Sequence, residues 1–139
     1  MKILQFSFDS RDESDYFPHN YTHNCGVYTG THDNDTVMGW YDTLKVADKK
    51  LCDDYLRLKN ADGEPIPREQ LPWEFVRAAM SSVADLAIIP MQDYLGLGSE
   101  ARINIPSTLG INWKWRMGNG DFTKELAGRI RSMTKLYGR

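Results

Sequence analysis

Three short apolar runs set apart by stretches of helical spacing constrain this chain more than any other feature. The first, Lys2-Ile3-Leu4-Gln5-Phe6-Ser7-Phe8, is rich in β-branched and aromatic types and ends in the polar run Asp9 to Asp15. The second, Cys25-Gly26-Val27-Tyr28-Thr29, stops at Gly30, and the third, Leu86-Ala87-Ile88-Ile89-Pro90, is continuous, apolar and too short for a helix. All three read as buried strands. Between them, Val37 to Leu44 and Asp48 to Lys59 carry helical spacing, with Leu51, Tyr55 and Leu58 on one face, and Gly63, Pro65 and Pro67 end that stretch. Pro72 suits a first helical position, and Trp73, Val76, Met80 and Val83 then form one apolar stripe. A last helix is expected after Asp121 as N-cap, with Phe122, Leu126, Ile130, Met133 and Tyr137 on its stripe. Buried strands alternating with amphipathic helices predict an α/β fold with parallel strands, a kind of sheet that is covered on both faces or closed into a barrel.

At 139 residues, 41% hydrophobic and 26% charged, the chain has the composition of one globular domain, without internal repeats or low-complexity stretches. No run of apolar residues is long enough to span a bilayer, and the start lacks the apolar core and cleavage site of a signal peptide, so a soluble, cytoplasmic chain is expected. A net charge of -2 without any basic block argues against nucleic acid and against a polybasic membrane patch, and favours a neutral or small ligand. The two cysteines, Cys25 and Cys52, are expected to be reduced and packed.

Candidate chemistry concentrates in Tyr28-Thr29-Gly30-Thr31-His32-Asp33-Asn34-Asp35-Thr36, where carboxylates and an imidazole gather at the end of an apolar strand. Ligands of parallel α/β folds bind at such ends. Spacing allows two roles: His32 and Asp33 grip a polar substrate, or Asp33, Asp35 or Thr36 caps the following helix. His19 and His23 are four apart, but Pro18, Asn20 and Asn24 make that segment a loop, which argues against a metal site and for local hydrogen bonding. Gly96-Leu97-Gly98 lacks the further glycine or lysine of a phosphate loop and reads as a turn. In Trp113-Lys114-Trp115-Arg116 the aromatic residues either pack in the core or stack on sugar. Asp85 and Asp93 flank the third strand as caps or ion-pair partners, and spacing does not choose between these.

The segments LQFSFDS, PHNY, VYTGTHDNDTVMGWY, IIPMQDYLGLGSEARINIP and NWKWR, taken in order from Lys2 to Arg116, resemble motifs of the 4-α-glucanotransferases of glycoside hydrolase family 77. The resemblance implies a (β/α)8 TIM barrel of which residues 1–139 supply the C-terminal portion, about three strand-helix units near the sixth to eighth strands, as a single incomplete domain. It also implies transfer of an α-1,4-glucan segment, with retention, to the 4-hydroxyl of glucose or another glucan. The ligands would be malto-oligosaccharides, glucose or starch- or glycogen-derived glucan, and no metal or organic cofactor is called for. By this resemblance Asp33 is the catalytic aspartate that contacts the sugar before the cleaved bond, and His32 binds the same sugar. Asp9 matches an acidic residue on an acceptor-side loop, and Asn104 an asparagine that touches sugar. Ser7 and Ser107 depart from the family's usual alanine in FAFD and from the glycine after the last proline.

The family's nucleophile and acid/base glutamate lie on earlier strands, and nothing in residues 1–139 resembles either motif. A barrel typically takes about 250 residues. The chain is therefore expected to be a fragment, inactive alone and prone to self-associate through open strand edges. The alternative is a non-catalytic glucan-binding or interaction module.

Overall fold

The computed structural model describes residues 1–139 and contains a three-stranded sheet, in the order β1 (Lys2–Ile3), β2 (Gly26–Tyr28), β3 (Leu86–Ile88), with both pairings parallel. Parallel neighbours need crossovers, and α1 (Val37–Asp42), α2 (Val46–Leu56) and α3 (Leu71–Met80) supply the one between β2 and β3. After β3 come the short α4 (Met91–Tyr94), a long irregular stretch and α5 (Lys124–Leu136). The α/β class with parallel strands is what the alternation of patterns predicts.

The strands are shorter than the apolar runs. Only Lys2 and Ile3 pair at the start, and Leu4–Ser7 turns into a 3-10 helix whose Leu4, Gln5 and Ser7 are buried. Ser7 Oγ donates to the Tyr16 carbonyl at 2.8 Å, so its hydroxyl is satisfied inside the core.

The main core lies between the sheet and α1, α2 and α3, and is built from residues such as Leu4, Phe8, Val27, Val37, Leu56 and Phe75. Phe8 meets Phe17, Tyr55 and Phe75 edge-on at 5.6–6.0 Å, the arrangement that ring quadrupoles favour. The stripe of α3 divides the work: Phe75, Ala78 and Ala79 face this core, while Trp73, Val76 and Met80 pack beneath Leu126, Ile130 and Met133 of α5 and Tyr137 at its C-terminal end. Val83 falls beyond the end of α3 and is exposed. The α5 cap also differs from expectation. Thr123 accepts from the Leu126 amide, while Asp121 accepts from the Gly118 amide in the preceding turn.

The third strand is not buried as its apolar run implies: Leu86 and Ile88 are 54% and 39% exposed. Register explains this. Ala87 aligns with the buried Val27 on the face that meets the helices, so Leu86 and Ile88 point to the opposite face, which no element covers beside β3. Cys52 is buried and Cys25 half-buried, both as free thiols, and Cys25 donates to the Thr22 carbonyl at 3.1 Å. No helix is long and apolar enough to cross a membrane.

Candidate functional site

Because the strands are parallel, the loops that follow them open at one end of the sheet, and there the segment Thr29 to Thr36 joins β2 to α1. The question of which residue caps α1 is answered by Thr36, whose Oγ1 accepts from the Gly39 amide at 3.1 Å. Asp35 has other duties. Its carboxylate accepts from the Thr36 amide at 2.8 Å and from Ser99 Oγ at 2.6 Å, and its carbonyl accepts from Gln5 Nε2 at 2.8 Å. Gly39 lets Ser99 come this close, since a Cβ there would collide with the Ser99 hydroxyl and stand 2.8 Å from both Asp35 oxygens.

Asp33 is thus free of capping. Its side chain is 52% exposed, and its Oδ1 accepts from Asn104 Nδ2 at 2.7 Å and lies 3.3 Å from His32 Nε2. Both neighbours sit on Oδ1, which leaves Oδ2 without a protein partner. The backbone is stitched to the same loop, for Asn104 N donates to the His32 carbonyl at 3.1 Å and Arg102 Nη2 to the Asp33 carbonyl at 2.7 Å. His32 packs at 5.0 Å against the Trp113 ring. Structure therefore unites three of the four residues singled out from sequence: His32, Asp33 and Asn104.

Asp9 stands apart from them. It follows the 3-10 turn after β1, and its carboxylate grips Arg11 through Nε at 2.8 Å and Nη2 at 2.6 Å. Those hydrogen bonds hold its pKa down to about 2. Of the two tryptophans, Trp113 is exposed and Trp115 half-buried, and neither belongs to the core, where Trp73 sits instead. His19 is a local hydrogen-bonding residue, with Nδ1 3.0 Å from the Tyr55 hydroxyl and its ring stacked on Phe17. Gly96 takes φ 66°, as the turn reading of that segment requires.

Of the two residues that spacing left undecided, Asp93 proves central to the scaffold. Asp93, on α4, is fully buried and accepts from Thr29 Oγ1 at 2.5 Å and from the Val37 amide at 2.8 Å. Thr29 and Val37 bracket the segment that carries His32 and Asp33, so one carboxylate pins both of its ends. Burial raises the Asp93 pKa to about 6, against the opposing pull of the two hydrogen bonds and with a further push from nearby Asp35.

The result at Asp33 is a half-exposed carboxylate with one free oxygen, held by an amide and an imidazole, with an indole packed on the imidazole. In comparison with known proteins, the family model described as 4-alpha-glucanotransferase, glycoside hydrolase family 77, matches residues 1–121. The chain belongs to this family. Similar curated proteins include the 4-alpha-glucanotransferase of Clostridium butyricum, 47% identical over 140 residues, covering 100% of this chain and 27% of that protein. The enzyme of Thermus thermophilus is 45% identical, covering 97% of this chain and 27% of its own length. The chloroplastic/amyloplastic enzyme of Arabidopsis thaliana is 43% identical, covering 100% of this chain and 23% of that protein. Among solved structures, the amylomaltase of Streptococcus agalactiae in complex with acarbose superposes with a TM-score of 0.86 at 37% identity, covering 100% of this chain and 27% of that one. The chain spans about a quarter of the length of these family members.

Proposed function

We propose that residues 1–139 form one incomplete domain, the C-terminal part of the (β/α)8 barrel of a 4-α-glucanotransferase, and that they supply one wall of its glucan site. The convergence of Asn104 and His32 on Asp33 carries this reading. In a retaining transfer, one carboxylate attacks the anomeric carbon while a second protonates the departing oxygen, through an oxocarbenium-like state. Asp33 takes neither role. Its free oxygen accepts hydrogen bonds from hydroxyls of the sugar at the reacting centre, and these strengthen as positive charge builds on the ring. Asn104 and His32 hold the carboxylate in place and reach the same sugar, while Asp9 faces the acceptor. The donors and acceptors are α-1,4-glucans and glucose, and acarbose is a fitting probe ligand because it is bound in the Streptococcus agalactiae structure. Leu86 and Ile88 then line the inside of a completed barrel, which accounts for an apolar face left uncovered here.

The test is a chimera in which this sequence replaces the matching quarter of the Clostridium butyricum enzyme, assayed for glucose release from maltotriose. The chimera turns over and the 139-residue chain does not. In the chimera, Asp33→Asn lowers kcat by at least about a hundredfold with KM within a few-fold, the mark of an interaction made in the transition state. Enzymatic turnover by the isolated chain, or equal losses in kcat and affinity, contradicts the assignment. Tight binding of maltoheptaose by the isolated chain favours a non-catalytic glucan-binding module instead.

A further inference from the structure

Trp113 occupies a backbone conformation that a tryptophan rarely adopts, with φ at 63°. A Cβ-bearing residue in this left-handed region costs stability, and bulky residues persist there only when their surroundings impose it. Here the Trp113 amide donates to the Ile103 carbonyl at 2.7 Å, and the Trp113 carbonyl accepts from Arg116 Nη1 at 3.2 Å. The strain brings little burial in return, since the residue remains 57% exposed. What it does achieve is placement. The indole is set 5.0 Å from the His32 ring at 39°, in the same loop pair in which Asn104 binds both the His32 carbonyl and Asp33 Oδ1.

A glucosyl ring has hydroxyls around its edge and C–H groups on its faces. His32, Asp33 and Asn104 supply polar atoms for the edge, and the widest exposed aromatic face beside them is the Trp113 indole. We infer that Trp113 is a substrate-contact residue of this site, and that its exposed indole takes the C–H face of the α-1,4-linked glucosyl unit whose hydroxyls Asp33, His32 and Asn104 bind. This inference rests on the function proposed above and adds a specificity element to it. An aromatic face selects a ring with an unbroken C–H surface, so binding distinguishes glucans from other polyols that could satisfy the polar groups.

Two measurements together test it. Replacing Trp113 by glycine relieves the positive φ, so the Trp113→Gly variant of the 139-residue chain melts at the same temperature as the parent or higher. A tryptophan kept for packing would instead leave a less stable protein. In the chimera, Trp113→Gly raises KM for maltoheptaose about tenfold and changes kcat less, while Trp113→Phe retains most of the affinity, as loss and retention of a stacking face require. A clear fall in melting temperature, or an unchanged KM in an active chimera, overturns the inference and leaves the proposed function standing. An inactive parent chimera overturns both.

Discussion

Asp93 ties its own ionisation to the shape of the site. Its pKa rises from the ordinary 3.8 to about 6 in the folded chain, so the folded state holds its proton more tightly than the unfolded state does. The sign follows directly: the favourable contribution is complete below pH 4 and is lost as pH rises through 6, by about 3 kcal/mol at most for a two-unit shift. Urea unfolding between pH 4 and pH 7 should therefore show a fall in stability that is absent in Asp93→Asn. A variant with the same slope as the parent contradicts this account. Ser107 offers a contrast at the same scale. It adopts φ 62°, in the left-handed region, so it carries a backbone cost that glycine would not.

Among the elements, α1 matters most to the site because its N-terminus is where the His32–Asp33 segment ends. Two acceptors from different parts of the chain meet its first amides: Thr36 Oγ1 takes the Gly39 amide, and Asp93 takes the Val37 amide. Thr36→Ala removes the first and should cost about 1 kcal/mol in thermal or urea unfolding, with faster amide exchange at Gly39 than at Tyr41. Equal exchange at both sites would show that the cap does not hold this end. The α5 helix is different in kind. It has no fully buried residue and rests on Trp73, Val76 and Met80, with Arg129 3.8 Å above the Trp73 ring and Arg139 bonded to the Met80 and Ser82 carbonyls. It covers the outside of α3 and takes no part in the site.

For the whole molecule, the decisive feature is the sheet face that carries Leu86 and Ile88 beside an unpaired strand edge. Such an edge offers a row of free amides and carbonyls to another chain, and apolar side chains beside it strengthen the attraction. The 139-residue chain should self-associate in light scattering, and Leu86→Lys should shift it toward monomer by placing a charge on that face. A parent that stays monomeric at high concentration contradicts the prediction.

How much of this could be read from the chain follows one division. Local periodicity and turn chemistry were legible: three strands, the α3 stripe, the reduced cysteines and the crowd of polar groups after β2 all depend on neighbours within a few residues. Likewise the ordered motifs pointed to the family, and of the four residues they singled out the structure brings His32, Asp33 and Asn104 together. Asp121, the expected cap of α5, instead accepts from the Gly118 amide, and only the hydrogen bond from Leu126 selects Thr123. Partnerships across the chain were not legible. Asn104 meets Asp33 across 71 residues, and Asp93 meets Thr29 across 64. Whether distant residues meet depends on which strands lie side by side and which way each face turns, and that is settled by packing the helices onto one side of a parallel sheet. Sequence alone determined the type and order of the main elements and the gathering of polar side chains at the end of β2. Tertiary structure decided which carboxylate faces solvent, which one is buried to hold the loop, and that Asp9 lies outside the cluster.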